Sequence, residues 1–157
     1  EKRDYKPYSQ ARVCFAQDGF HLQLLSFEAE PLPDSKMSVY FCFFNAKPAL
    51  HVSLSAAGEF DASVGNLLLS GEQATVHTFT GEDLQGVYWG GNICISYEVF
   101  QRHFPEFVVK KGSVFFGNLY KLCENPQKTH FGSYYPANFQ QKLDAPENLG
   151  EFVIIDF

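Results

Sequence analysis

The sequence lacks several features that mark common functional classes. It has one methionine and one tryptophan among 157 residues, and its formal net charge is −6. It contains no run of about 18 apolar residues that could span a bilayer. Nucleic-acid-binding surfaces are basic, and no comparable excess of lysine and arginine is present. We therefore expect neither a membrane partner nor a nucleic-acid partner.

The four cysteines do not follow a metal or redox motif. Cys14, Cys42, Cys94 and Cys123 are scattered, each in or beside a strand-like run. Zinc fingers and redox dithiols use closely spaced cysteine pairs, which this sequence does not have. The expectation is four buried free thiols that act as small hydrophobic residues.

The common catalytic motifs are also missing. The sequence has no GxSxG nucleophile elbow, no HExxH metal pair and no GxxxxGK[ST] phosphate loop. Glu28 and Glu30 share one face of a predicted strand, and two carboxylates can perform acid–base work on a glycosidic bond. Their position beside Pro31 is more typical of a solvated strand edge. We predict that the chain is not an enzyme.

Aromatic residues are abundant: 17 phenylalanines and 8 tyrosines bring the aromatic content to 17%. Aromatic residues favour strands and fill the space between packed sheets. Strand-like runs recur along the chain with turn residues between them. The predicted strands are Ala11–Ala16, Phe20–Glu30, Met37–Phe44, Leu50–Ser55, Leu67–Leu69, Ala74–Phe79, Val87–Ser96, Val114–Leu122, Phe131–Tyr135 and Glu151–Phe157.

Turns and one helix complete the predicted architecture. Gln17-Asp18-Gly19 and Asn45-Ala46-Lys47-Pro48 are predicted turns, and residues 81–86 a loop. A helix is predicted over Tyr97–Phe104, capped by Ser96 and followed by Pro105. Strands dominate, and predicted helices do not alternate with them as in βαβ units. Residues 1–157 are therefore predicted to form one all-β domain, a two-sheet antiparallel sandwich of jelly-roll kind with one short helix.

The C-terminal third carries a specific pattern. It contains Phe115-Phe116-Gly117-Asn118-Leu119-Tyr120-Lys121-Leu122, then Thr129-His130-Phe131-Gly132-Ser133-Tyr134-Tyr135-Pro136, then Pro146-Glu147-Asn148-Leu149-Gly150-Glu151-Phe152. This pattern resembles the end of the carbohydrate-binding family 9-like domains. The segments Val13–Leu25, Ser38–Phe44 and Ile93–Phe104 resemble the family's first hairpin, central strand and strand-then-helix unit.

The resemblance implies a non-catalytic domain that binds a sugar on an aromatic platform. Tyr134 stands where the family has its platform tryptophan, and Tyr135 is its neighbour. Trp89, beside Gly90-Gly91, suits an exposed rim with open backbone. Packing in the core is the alternative for both Trp89 and Tyr134, since large aromatic residues are usually well buried. The sequence departs from the family at Tyr134, at Tyr40 (usually acidic) and at Leu149 (usually phenylalanine).

Polar groups must accompany an aromatic platform to recognise hydroxyls. Asn118, Lys121 and His130 lie next to the Tyr134 motif and are the candidates for this role. Alternation along a strand predicts that Asn118 and Tyr120 share one face and that Lys121 lies on the other. A histidine bonded to backbone and a solvated lysine are the ordinary alternatives for His130 and Lys121.

Two other functions stay open. One is a structural or protein-interaction domain whose sugar site has decayed, because Tyr134 replaces tryptophan. The other is a haem-binding electron-transfer sandwich, with Met37 as one axial ligand and a histidine as the other. The candidate histidines are His21, His51, His77, His103 and His130.

No cofactor is predicted. A structural calcium ion would have to use Glu82 and Asp83, or Asp34 with Glu28 and Glu30, and neither set has the alternating ligands of a calcium loop. The compartment is unassigned; a polysaccharide-binding module would be extracellular. The chain could also be one part of a larger protein.

Overall fold

Two antiparallel β-sheets enclose the hydrophobic core. The computed structural model describes residues 7–43 and 48–155. The first sheet has the strand order β1-β2-β8-β7, and the second has the order β10-β9-β3-β4-β5-β6, with β11 also paired to β9. β10 and β11 occupy successive parts of the same edge of β9, because they pair with Tyr120–Cys123 and Val114–Gly117 respectively.

The strand bounds follow the hydrophobic runs of the sequence. The four-stranded sheet contains β1 (Tyr8–Ala16), β2 (Gly19–Phe27), β7 (Ala74–Asp83) and β8 (Gly86–Ser96). The second sheet contains β3 (Lys36–Cys42), β4 (Leu50–Ser55), β5 (Phe60–Val64), β6 (Leu67–Leu68), β9 (Val114–Cys123), β10 (His130–Ser133) and β11 (Gly150–Val153).

The core lies between the two sheets and is rich in phenylalanine. Strand alternation sends every second side chain inward, such as Phe20, Leu22 and Leu24 of β2. Phe20 and Phe41 meet across the sandwich with ring centroids 5.5 Å apart. Burying these side chains supplies the main driving force for packing the sheets.

One α-helix lies in the described part of the chain, α1 (Tyr97–His103), and it closes one end of the sandwich. Ser96 caps it, since its Oγ accepts a hydrogen bond from Val99 N at 3.3 Å. Phe100 is buried, and its ring lies 4.8 Å from that of Phe43. A short 3-10 helix spans Pro146–Asn148. Within residues 7–43 and 48–155, no helix is long and apolar enough to cross a bilayer.

The predicted two-sheet antiparallel sandwich with one short helix is confirmed. Two local predictions were wrong. The loop predicted over residues 81–86 shrinks to Leu84 and Gln85, because β7 continues to Asp83 by pairing with β8. β5 was not foreseen. Parts of three predicted elements lie outside the described residues. These are Phe44 at the end of the third predicted strand, residues 45–47 of the predicted turn that ends at Pro48, and residues 156–157 of the last predicted strand.

The cysteines depart from the expectation of four buried thiols. All four are free, but only Cys123 is buried. Cys42 and Cys94 are half-buried, and Cys14 is exposed. Cys14 and Cys94 sit at outward positions of β1 and β8, because their neighbours Val13, Ile93 and Ile95 face the core.

Candidate functional site

Three of the six sequence-predicted site residues meet inside the sandwich. Trp89 of β8, Lys121 of β9 and His130 of β10 are 5%, 5% and 7% exposed. They surround Glu28, which follows β2, and Ser35, which precedes β3. We call these five residues the buried polar cluster.

Hydrogen bonds in the buried polar cluster converge on the Lys121 ammonium group. Lys121 Nζ lies 3.2 Å from Glu28 Oε1 and 2.7 Å from His130 Nε2, and it donates to Ser35 Oγ. The three N–H donors of an ammonium thus match three acceptors. The ammonium also lies 5.9 Å from the centroid of the Trp89 ring, within the range of a cation–π contact.

Glu28 is the acceptor that holds the other members together. Its Oε1 accepts hydrogen bonds from Trp89 Nε1 at 3.0 Å and from Ser35 Oγ at 3.0 Å. A buried carboxylate is costly unless it is paired and hydrogen-bonded, and Glu28 has both kinds of partner. The cluster therefore joins the β2–β3 connection to β8 and β9.

The protonation states follow from these contacts. Burial lowers the pKa of His130 from its ordinary value, so the neutral ring is favoured. Its Nδ1–H then donates to Lys128 O at 2.7 Å, while Nε2 accepts from Lys121. Burial also lowers the pKa of Lys121, and the Glu28 carboxylate opposes that shift.

Trp89 takes the core position and not the rim position. Gly90 and Gly91 are buried with it in β8, and a Cβ on Gly90 would meet Leu24 O at 2.0 Å. Gly90 thus permits close packing of β8 against β2, and Gly91 leaves room for the side chain of Leu54 in the opposite sheet. Neither glycine leaves backbone open to a ligand. The sequence had indicated Glu28 only as a possible acid–base or calcium-binding residue. Nothing in the sequence had pointed to Ser35 as a member of the cluster.

Asn118 anchors a loop over the outer face of the second sheet. It is 1% exposed. Its Nδ2 donates to Tyr135 O at 3.1 Å and to Asn148 O at 2.8 Å, and its Oδ1 accepts from Tyr135 N at 2.9 Å. Residues 134–149 are thereby held over Tyr120, which is fully buried. Asn118 and Tyr120 share the outer face of β9, as predicted.

Tyr134 and Tyr135 follow β10 and differ in freedom. The Tyr134 side chain is 70% exposed. Tyr135 is half-buried, donates its hydroxyl to Glu151 O at 2.6 Å and packs on Gly150, where a Cβ would meet its ring at 2.2 Å. Tyr134 is therefore the tyrosine of this pair that can offer a ring face to a ligand.

An open groove of about 740 Å³ crosses the outer face of the four-stranded sheet. Strand register arranges its side chains in rows. Arg12, Gln23 and Asn92 are consecutive cross-strand neighbours on β1, β2 and β8, and we call them the amide row. Gln23 Nε2 donates to Asn92 Oδ1 at 3.0 Å. These outward side chains point away from the core and are accessible to a ligand.

A second row in the outer groove is aromatic. Tyr8, Phe27 and Tyr88 are neighbours across β1, β2 and β8, with centroid distances of 6.0 and 5.7 Å. The aromatic row is displaced from the amide row by four residues along each strand, a distance of about 13 Å. The remaining groove lining consists of Gln10, Leu25, Phe79, Thr80, Asp83, Leu84 and Gln85.

The haem hypothesis finds little geometric support. Met37 is fully buried in the core, whereas His21, His51 and His77 occupy outward positions, so a sheet separates their rings from Met37. His130 uses both ring nitrogens in hydrogen bonds.

The calcium sets also remain unassembled among residues 7–43 and 48–155. The three-residue group of metal-ligating side chains found there is Asp18, His21 and Cys94. It includes none of the acidic residues that were considered for calcium.

Comparison with known proteins supports the fold. No protein-family model matches the sequence. No curated protein matches it either. A crystal structure from Bacteroides uniformis ATCC 8492, named as a putative carbohydrate-binding protein, superposes with a TM-score of 0.67 at 19% sequence identity. The match covers 94% of this chain and 78% of the other, so the two proteins share the sandwich over nearly the whole chain.

Proposed function

We propose that the chain is a non-catalytic carbohydrate-binding domain and that its ligand lies in the outer groove. The observation that carries this proposal is the aromatic row beside the amide row on one solvent-facing sheet surface. Sugars offer apolar ring faces and a periphery of hydroxyls, and they are recognised by aromatic side chains with a few convergent polar groups. Phe27 and Tyr88 supply the first kind of contact, and Arg12, Gln23 and Asn92 the second.

The length of the outer groove favours an oligosaccharide over a single ring. The two rows are about 13 Å apart along the strands. A ligand that touches both rows must therefore extend over more than one sugar unit. The groove is open along its length, so it suits an interior segment of a glycan chain as well as an end.

One structural comparison and one sequence resemblance support a sugar as the ligand class. The structural neighbour from Bacteroides uniformis is named as a putative carbohydrate-binding protein. The sequence pattern of the C-terminal third independently resembles the family 9-like carbohydrate-binding domains. Affinity should be modest, because each hydrogen bond exchanged with water contributes only about 0.5–1.5 kcal/mol.

The surface around Tyr134 is the second candidate. Its support is the 70% exposure of the Tyr134 ring, together with its place in the family 9-like pattern. The polar partners predicted for it, however, are engaged elsewhere. Asn118 holds the loop over β9, and Lys121 and His130 belong to the buried polar cluster. The outer groove is preferred because it combines both kinds of contact on one surface.

The test is a glycan-array screen followed by calorimetric titration of each hit with matched variants. Asn92→Ala and Tyr88→Ala should weaken binding at least tenfold, and Tyr134→Ala should leave it unchanged. Circular dichroism melting checks that every variant folds.

The opposite pattern would move the site to the Tyr134 surface. Absence of binding to any glycan, with and without calcium, would contradict the carbohydrate proposal and leave the structural or protein-interaction hypothesis.

A further inference from the structure

Three side chains with metal-ligating atoms meet where β1 turns into β2. Asp18 lies in the turn, His21 in β2 and Cys94 in β8, and their ligand atoms all lie within 4.8 Å of one another. No other such group of three occurs within residues 7–43 and 48–155. The scattered cysteines gave no sign of this in the sequence, because the ligands come together only through strand register.

The fold holds these residues in place from both sides. His21 and Cys94 are direct neighbours in the β2–β8 register. Asp18 O accepts a hydrogen bond from Tyr97 N at 3.0 Å, so the start of α1 fixes the turn. Gly19 lets the turn approach β8 closely, since a Cβ there would meet Ile95 O at 2.2 Å. The ligand atoms are thus brought together by backbone contacts that exist without any ion.

The distances are close to those of a tetrahedral metal site. His21 Nε2 lies 3.8 Å from Cys94 Sγ and 2.7 Å from Asp18 Oδ1. Ordinary zinc bond lengths separate ligand atoms by about 3.3–3.8 Å in a tetrahedral site. The exposed Asp18 side chain needs to retreat by less than 1 Å, roughly, to exchange its hydrogen bond for a metal bond.

The geometry does not fit the other use of a cysteine, a histidine and an aspartate. In a nucleophilic triad the thiol and the carboxylate contact different nitrogens of the imidazole, so that one ring relays the proton. Here both approach the same Nε2.

Water can fill the fourth position, as it does in zinc sites with three protein ligands. Cys14 is the neighbour of His21 on the side away from Cys94. It lies two strand spacings, or about 10 Å, from Cys94, so its exposed thiol does not reach the same ion.

We propose that Asp18, His21 and Cys94 form a site for a divalent transition metal of the zinc class, with water as the fourth ligand. A thiolate, an imidazole and a carboxylate suit a borderline-soft ion, and calcium and magnesium bind poorly to such a set. The site lies two residues along the strands from the amide row and is independent of the sugar proposal.

The test is a titration of the reduced, metal-free domain with zinc and with cobalt(II). We expect one equivalent to bind and the cobalt form to show a thiolate-to-metal charge-transfer band with tetrahedral ligand-field bands. His21→Ala and Cys94→Ser should weaken binding by more than about 100-fold, since even outer-shell partners contribute about 10–100-fold. His77→Ala, on the same sheet face, is the matched control and should bind normally.

Alkylation with mass spectrometry then identifies the bound thiol. Zinc should protect Cys94 and leave the rates at Cys14 and Cys42 unchanged. Undiminished binding by both His21→Ala and Cys94→Ser, or no protection of Cys94, would overturn the site.

Discussion

The buried polar cluster and the amide row contain similar kinds of side chain in opposite environments. In the interior, Lys121 and Glu28 are almost completely shielded and satisfy each other's hydrogen bonds. On the outer face, Arg12 and Asn92 are exposed to solvent and oriented by their strand neighbours. Burying the charged groups of the cluster costs desolvation free energy, but their hydrogen bonds fix how the β2–β3 connection packs against β8 and β9. The side chains of the amide row keep hydrogen-bonding groups that a ligand can use.

What separates the two groups is the side of the strand on which each residue lies. Lys121 faces inward with Leu119, and Asn92 faces outward between the inward Gly91 and Ile93. In these two groups, strand alternation decides which polar residues are structural and which are accessible to a ligand. Substitutions in the buried polar cluster should therefore lower the stability of the domain. Substitutions in the amide row should instead weaken ligand binding.

The largest effect is expected for Lys121→Met. It leaves the Glu28 carboxylate buried without its cation, which should lower the free energy of unfolding by about 3–5 kcal/mol. Urea denaturation followed by circular dichroism measures this. The double variant Glu28→Gln with Lys121→Met removes both charges and keeps an acceptor for Trp89, so it should recover most of the loss. Equal losses in the single and double variants would show that the charge pair is not the cause.

A smaller loss is expected for Asn118→Ala. Removing its amide leaves Tyr135 N and Asn148 O without these partners, at a cost of about 1–3 kcal/mol. Limited proteolysis should then cut within residues 134–149. Asn92→Ala, the matched asparagine of the outer groove, should change stability by less than about 0.5 kcal/mol. A protected loop in Asn118→Ala would contradict the anchoring role.

Stability should also fall as the pH is lowered through about 6.5, the ordinary histidine pKa. Burial lowers the pKa of His130 and of His51 in the folded chain. The unfolded chain therefore takes up protons first, at the ordinary histidine pKa of about 6.5, and the loss stops below the folded values. His130→Gln keeps an acceptor for Lys121 and should flatten the profile. His77→Gln, at an exposed position, serves as the control; equal profiles for both variants would refute the assignment.

The smallest stability change is expected for Arg12→Ala and Gln23→Ala. Both are on the surface of the outer groove, so unfolding should shift by less than about 0.5 kcal/mol. Their effect should appear instead as weaker glycan binding in titration calorimetry. A large loss of stability from either variant would remove the contrast between the two polar groups.

The sequence predicted the layers better than the site. Alternation and turn residues placed β2, β4, β8, β9 and α1 within a few residues of their ends, and Ser96 was recognised as the cap. β5 was missed although Phe60, Ala62 and Val64 alternate with polar residues, because the run between Gly58 and Gly65 is only five residues long.

The buried polar cluster could not be predicted from the strand pattern. β9 is buried on both faces, so alternation assigns Lys121 and Tyr120 to opposite faces without saying which face is the interior. The contact of Lys121 with Glu28 depends on how the β2–β3 connection packs against β9. The outer groove was missed for a related reason: its rows exist only once strand neighbours are known.

The strand order has a consequence for how the chain reaches this structure. β2 pairs with β8, and β3 with β9, so residues Gly19 and Ser96, or Lys36 and Leu122, must find each other across about half of the chain. Loop closure over such distances precedes any gain in contacts, which makes folding slow. On a ribosome, the first sheet cannot be completed until β8 has emerged, and the second sheet cannot be completed until β9, β10 and β11 have emerged. Until then the phenylalanine-rich inner faces of β2 and β3 are exposed, and nascent chains should depend on protection from aggregation during that interval.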